Sequence, residues 1–481
     1  MMVCFFRKTR SIAFIMLALG TMMASMIVMF PRIQTVHAVT AGDWPTYLEN
    51  VQRSGFNSAE TIINVTSAPD LKMDWKFQAG GVINVNFISA QPVEANGLIY
   101  WGSWDGIEHA TNTNGMQVWK TGLGYTFSSQ CNNLVGIAGT ATIASVSIGG
   151  KRTPVDFVGG GDASFYALNA NTGTVIWKTS LGTSPDHFIW SSPAFYKGSI
   201  YIGLASLGDC PLVQGKLFKL NATTGAIQNT FNVVPDGCIG GGVWGSPTID
   251  AGDGSVYFAT GNPGSCSSKE PYTISLVKVN ASNLSYIDSW QVPQNQQVGD
   301  GDFGATPTLF SAVIGGVTRS LVGVVNKNGI YYTLDRTAIS HGYLWSDKIA
   351  TIGGGCGPSC GDGSISSSAW DGSTLYVAGG QTTIGGASCQ GSLRAVNSAT
   401  GKFIWEHCMK QGPVVGAVTM VPGVAVVGEG NTFVVVAASD GHTLFTFADT
   451  NSNSYFYGPA SISNGILYIG DFDGLLYAFG T

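Results

Sequence analysis

Short apolar runs, four to six residues long, recur along this chain and are broken by Asn-Gly, Asp-Gly and Thr-Gly. The closing stretch shows the pattern in full. Ser461 to Ser463, Ile466 to Gly470 and Leu475 to Phe479 alternate apolar, aromatic and small residues, with Asn464-Gly465 and Asp471 to Gly474 between them. Runs of this length separated by residues that supply positive φ are antiparallel strands joined by tight turns. Variants of the same meander begin near Pro92, Thr140, Trp190, Trp244 and Phe303, recur in SSSAWDGSTLYVAGG and from Gly416, and end with the closing stretch. Units of roughly 50 residues are the length of a propeller blade. The pattern predicts an all-β fold, an eight-bladed β-propeller of four-stranded antiparallel blades.

Most units end in a fourth strand of the form Thr-Gly-x-x-x-Trp, as in Thr172-Gly173 to Trp177 and Thr400-Gly401 to Trp405. The eighth unit stops at Thr481 before such a strand, and residues 71–77, with Trp75 in the matching place, form a spare one at the other end. Pairing the two would close the ring and remove an exposed sheet edge. The polar and aromatic segment from Asp43 to Asn57 is expected to pack across a face of the domain.

Composition agrees with a turn-rich β protein. The 481 residues include 66 Gly, with 44% hydrophobic and 11% charged, against about 25% charged in an ordinary domain. Net charge is −6 and no basic run lies beyond the N-terminus, so the phosphate-neutralising surface of a nucleic-acid binder is missing. At the N-terminus, Arg7, Lys8 and Arg10 precede an apolar run from Ser11 to Phe30 and a small-x-small site, Val36-His37-Ala38. Residues 1–38 therefore read as an export signal or an uncleaved anchor, with residues 39–481 as a single domain outside the cytoplasm. Cys4 aside, eight cysteines remain, an even count that suggests disulfides in an exported chain. Cys356 and Cys360 are close enough to staple one loop; the other pairings stay open. The six His show no triad or metal spacing.

The repeat GxLYxG…DGxLYALxAxTGxxxW resembles that of the quinoprotein alcohol dehydrogenase-like superfamily, nearest to polyvinyl-alcohol-dehydrogenase-type members. The outer-membrane assembly scaffold BamB shares the repeat. The resemblance implies pyrroloquinoline quinone (PQQ) on the propeller axis with a Ca²⁺ at its oxygens, a carboxylate base, a cation at the quinone oxygens and a stacking aromatic ring. By motif, Asn262 of Thr-Gly-Asn matches the calcium-ligand asparagine. Asp302 matches the base and a metal ligand, with Asp300 close by, and Lys327 matches the quinone-contacting lysine. Trp190 and Trp244, each heading a Trp-x-Ser-Pro strand, match the stacking floor. Each has a plainer reading: turn asparagine, solvated turn carboxylates, Lys-Asn-Gly hairpin, core tryptophan.

The chain also departs from the family. In place of adjacent cysteines over the cofactor there is Cys131 alone, the arginine expected a few residues later is missing, and Asp209 stands in for a calcium-ligand glutamate. No Cys-x-x-Cys-His haem motif occurs, so an electron acceptor would be a separate protein such as a cytochrome. Two functions follow: a PQQ- and Ca²⁺-dependent dehydrogenase of a small alcohol, polyol or sugar, or a propeller that kept the fold without the cofactor and binds protein or polysaccharide. Tyr455-Phe456-Tyr457 and Trp101 to Trp104 would suit sugars, and would equally suit blade packing.

Overall fold

The computed structural model describes residue 40 and residues 42–80, 85–266, 270–352 and 355–481, all within one compact unit. The export-signal reading of residues 1–38 lies outside the described residues. The main strands gather into eight antiparallel four-stranded blades, seven with their strands in chain order, and two short hairpins, Thr126–Ser128 with Asn133–Val135 and Thr382–Ile384 with Ala387–Cys389, stand apart from them. Blade 1 runs Val93–Ala95, Leu98–Gly102, Ile107–Asn112 and Gln117–Gly122. Blade 4 runs from Thr248–Asp250 to Tyr286–Gln291, and blade 5 from Thr308–Ile314 to Tyr343–Lys348. Blade 3 carries one extra edge, His187–Phe188, against Ser199–Ser206. The first strands of neighbouring blades lie side by side from blade 2 round to blade 8 and on to blade 1, so they line a common axis.

Burial follows position in the blade. Second strands such as Leu98–Gly102, Ser255–Ala259 and Val424–Glu429 are buried at every residue, because both faces of each blade are covered by neighbours. Outer strands such as Val175–Ser180 and Thr443–Ala448 alternate exposed and half-buried residues. Alternation therefore marks the rim, and continuous apolar runs mark the inner strands.

The ring closes as the sequence implies. Lys72–Gln78 pairs antiparallel with Leu475–Gly480 and completes blade 8. The Thr-Gly-x-x-x-Trp motif also has a physical reason. In five blades the outer-strand indole lies on a turn glycine of the next blade and donates Nε1–H to a carbonyl beside it. Trp119 covers Gly173 and bonds Ala170 O at 2.8 Å; Trp345 covers Gly401 and bonds Ser398 O at 3.0 Å. Trp177 with Gly225 and Trp405 with Gly441 repeat it. In the closing strand Trp75 covers Gly115 of blade 1 and bonds Thr113 O at 2.8 Å.

The segment from Asp43 to Asn57 does more than cross a face: it threads the axis. Its backbone bonds the first strands of blades 1, 2, 4, 5, 6 and 7 through Glu94, Ile143, Ile249, Leu309, Trp370 and Met420. Arg53, with 0% exposure, fixes it there, donating to Pro193 O at 2.8 Å, Pro247 O at 3.1 Å and Tyr47 O at 2.6 Å.

Four disulfides are formed: Cys131–Cys210, Cys238–Cys266, Cys356–Cys360 and Cys389–Cys408. Among the described residues no helix is long and apolar enough to cross a membrane.

Candidate active site at the ends of blades 3 to 5

Segments entering first strands and turns leaving second strands surround a cavity of about 340 Å³. That is toward the lower end of the range for small-molecule sites. Its walls include Trp190, Asp209, Trp244, Asn262, Asp300, Asp302 and Lys327, so residues from three blades and their connections meet in one space. Cys131 is not in the wall. It is bonded to Cys210, next to Asp209, and its Sγ lies 3.3 Å from where a side chain at Gly208 would begin. The single cysteine is thus half of a long-range staple at the rim.

Asp302 is the best-enclosed acid of the group, at 5% exposure. Its Oδ2 accepts Nε1–H of Trp244 at 2.8 Å. Its Oδ1 lies 2.6 Å from Lys327 Nζ, an ion contact without hydrogen-bond alignment to any group among the described residues. Burial raises its pKa above the ordinary carboxylate range, and the Lys327 charge opposes this without cancelling it. Asp300 is more open. Burial pushes its pKa up, but Lys327 at 2.9 Å and Asn262 Nδ2 at 2.8 Å outweigh that and hold it low. Lys327 itself is desolvated, which works against its charge, yet the two carboxylates keep its pKa raised. Two neighbouring acids thus differ in proton affinity because one is buried and one is not.

Local sequence explains the placement. Lys327 sits in the Asn326-Lys327-Asn328-Gly329 turn between Val317–Val325 and Ile330–Asp335. Asn326 Nδ2 donates back to Gly301 O at 2.6 Å and Asp302 O at 3.1 Å, and Asn328 Nδ2 to Gln296 O at 3.0 Å. One hairpin turn therefore presents the cation and grips the loop that carries both acids. Asn262 follows the strand Ser255–Ala259 of blade 4; its hydrogen bonds, to Asp300 and to Asp209 at 3.4 Å, both leave through Nδ2. Trp244 has Lys327 Nζ 5.0 Å above its ring, a cation–π contact.

Motif reading missed Cys210, Asn326 and Gly304. Cys210 adjoins Asp209, but nothing in the sequence pairs it with Cys131, 79 residues away. The contacts of Asn326 and Gly304 depend on loops that meet only in the ring.

The donor set fits a hard cation and a flat quinone. Asp302 Oδ1 has no hydrogen bond, the Asn262 amide oxygen is not used by its bonds, and an indole face with a fixed ammonium stands beside them; oxygen ligands suit Ca²⁺. Among the described wall residues Lys327 is the one cation. A second close group of potential ligands, Cys238, Cys266 and Glu270, has its two sulfurs bonded to each other.

An eight-bladed propeller with these repeats and a cavity holding a few charged side chains between aromatic walls is the architecture of the PQQ-like propellers. The profile of the family described as outer membrane protein assembly factor BamB matches residues 63–295 and 332–479, and the chain belongs to that family. It is 25% identical over 343 residues to a quinohemoprotein alcohol dehydrogenase of Comamonas testosteroni, covering 63% of this chain and 46% of that protein. To a polyvinylalcohol dehydrogenase of a Pseudomonas species it is 22% identical over 471 residues, covering 86% of this chain and 69% of that one. The chain thus spans less than half the length of the Comamonas relative. The crystal structure of the quinohemoprotein alcohol dehydrogenase from Comamonas testosteroni superposes with a TM-score of 0.70 at 18% identity, over 92% of this chain and 81% of that one, a likeness of fold.

Proposed function

We propose that this protein is an extracytoplasmic quinoprotein-type dehydrogenase that oxidises an alcohol, polyol or sugar with PQQ and Ca²⁺ and passes electrons to a separate acceptor such as a cytochrome. The observation that carries the reading is Asp302: a buried carboxylate of raised pKa in the cavity wall, held by Trp244 at one oxygen and by Lys327 at the other. Dehydrogenases of alcohols among the relatives support it, and four disulfides support a location outside the cytoplasm.

In this reading Asn262, Asp302 and Asp209 hold the cation, Lys327 meets the quinone oxygens, and Trp244 with Trp190 forms the floor. Bound there, the quinone would supply a two-electron acceptor and the cation a Lewis acid. The chain supplies the base. Asp302 Oδ1 accepts the hydroxyl proton of the alcohol, and burial that raises its pKa makes it the stronger proton acceptor of the two acids. Lys327 keeps Asp302 ionised between proton transfers, and Trp244 Nε1–H fixes the carboxyl plane through Oδ2 and leaves Oδ1 against Lys327. Asp300 holds Lys327 from the open side.

A binding scaffold is the second reading. It is favoured by the family description and by the single cation in a wall that would face a polycarboxylate cofactor.

The test is reconstitution of purified protein with PQQ and CaCl₂, followed by dye-linked oxidation of a panel of alcohols, polyols and sugars. Quinone absorbance on the protein with dye reduction is expected, and Asp302→Asn should stop turnover while retaining the cofactor. Absence of both absorbance and dye reduction leaves the scaffold reading.

A further inference from the structure

The end of the ring away from the cavity is not level. Strands alternate in direction, so the segments entering first strands and the turns leaving second strands share the cavity end, and the turns from first to second strands share the other. Six blades have first strands of two or three residues, such as Val93–Ala95, Thr248–Asp250 and Ala369–Trp370. Blades 2 and 5 have seven, Thr142–Ile148 and Thr308–Ile314. The starts of these strands are level. Thr142 donates Oγ1–H to Pro193 O at 2.8 Å, Thr248 to Pro307 O at 2.6 Å and Thr308 to Ser368 O at 3.1 Å, in each case the carbonyl just ahead of the next blade's first strand. The surplus in blades 2 and 5 therefore projects from the turn end, by roughly 13 Å at the rise of an antiparallel strand.

Both projecting hairpins turn on Ile-Gly-Gly, with Ile148 paired to Lys151 and Ile314 to Val317. Val313 and Val317 are 62% and 60% exposed. Lys151, Arg152 and Arg319 follow the turns, all exposed, and residues 145–153 and 311–320 contain no Asp or Glu. Arg319 meets Asp335 of the neighbouring strand at 2.9 Å, while Lys151 and Arg152 have no ion pair among the described residues. Each tip is thus carbon surface with cations beside it, held well clear of the core.

The chain enters at the same end. Thr40 N–H donates to Asp43 at 2.9 Å, and Asp43 accepts from Asn96 N–H at 3.2 Å in the first turn of blade 1. Next to it, Ser463 Oγ–H donates to Gly42 O at 2.8 Å in blade 8. Ile62 and Val65, 54% and 41% exposed, lie against Gly465 and Gly423 in the first turns of blades 8 and 7. Ahead of Thr40 the sequence carries the apolar run Ser11 to Phe30 behind Arg7, Lys8 and Arg10.

We propose that the turn end rests on an anionic lipid surface, with the tips of blades 2 and 5 entering the headgroup layer and the cavity opening away from it. Apolar side chains flanked by Lys and Arg suit that boundary, where carbon leaves water and cations meet lipid phosphate. A protein partner needs a continuous patch, whereas these tips stand three blades apart. The placement is independent of the redox reading and leaves the cavity mouth to solutes.

The test is co-sedimentation of the full protein with vesicles of phosphatidylcholine containing phosphatidylglycerol, and with phosphatidylcholine alone. Binding to the anionic vesicles that weakens with added salt is expected. Val313→Ser with Val317→Ser, and separately Lys151→Ser with Arg152→Ser, should each weaken it on the order of tenfold. Neither pair should move the melting temperature, because both change exposed tips. Hydrogen exchange of bound protein should slow at residues 145–153 and 311–320 and stay unchanged at 125–135, a pattern that tethering by the N-terminal run alone does not produce. No binding, unchanged exchange at both tips, or full binding by both pairs of variants overturns the proposal. So does a concentration-dependent dimer in sedimentation velocity that Val313→Ser with Val317→Ser abolishes, which gives the tips to a second copy of the chain.

Discussion

The indole of Trp244 occupies the space that a side chain at Gly304 would need: a Cβ there would fall 2.1 Å from Cη2 of the ring. The same indole holds Asp302 through its Nε1–H at 2.8 Å. Gly304 thus sets the position of a ring that sets the position of an acid. Gly304→Ala should push Trp244 aside, lower kcat on the order of a hundredfold and shift the tryptophan emission. Unchanged turnover would show that the Trp244–Asp302 bond does not position the base.

Lys327 opposes the rise in the pKa of Asp302. With Lys327→Met that opposition is lost, so the carboxylate protonates at higher pH. The acidic limb of the pH–rate profile should move upward, and kcat/KM should fall about a hundredfold. A profile with an unmoved acidic limb would separate Lys327 from the base.

At the interface of blades 1 and 2, Glu108 and Asp156 are both at 0% exposure, and none of their carboxyl oxygens has a hydrogen-bond partner among the described residues. Burial raises Asp156 to about 8, and burial together with the Asp156 charge raises Glu108 as well. In the unfolded chain both titrate near about 4. Above the unfolded values the folded state binds more protons, so stability falls as pH rises from about 4, the Asp156 share of the fall being complete by about 8. Asp156→Asn should flatten that fall and raise the melting temperature near about pH 9, with little change near about pH 4. Thermal melts across pH measure it, and equal slopes in both proteins would count against the assignment.

Ring closure can be probed at one side chain. Trp75 covers Gly115 and bonds Thr113 O at 2.8 Å, joining the closing strand to blade 1. Trp75→Ala should cost on the order of 3 kcal/mol, and deletion of residues 71–77 more. An unaltered denaturation midpoint would mean that the pairing with Leu475–Gly480 adds nothing to the fold.

Arg53 within the axis satisfies three backbone carbonyls from its own segment and from blades 3 and 4. Burial lowers its pKa to about 10, which leaves it charged at neutral pH. Removing the guanidinium leaves those buried carbonyls without their donor. Arg53→Met should destabilise by roughly 3 kcal/mol, read by urea denaturation, and should loosen Asp43 to Asn57 in hydrogen exchange.

What the sequence determined is the repeated unit. Seven of the eight blades are local: their strands follow one another in the chain, and turn glycines and apolar runs fix their ends, as Val93–Ala95, Leu98–Gly102 and Ile107–Asn112 show, while blade 8 takes Lys72–Gln78 from the other end. The family resemblance also singled out Asn262, Asp302 and Lys327, which meet in one cavity wall. What only tertiary structure decided are the meetings between repeats. Trp244 on Gly304, Cys131 with Cys210, Asn326 on the loop of Asp302 and Arg53 in the axis all join segments whose spacing in the chain carries no signal. The physical reason is that a strand pairing is encoded by alternation along one segment, whereas a convergence on the axis is set by how eight blades tilt and close together.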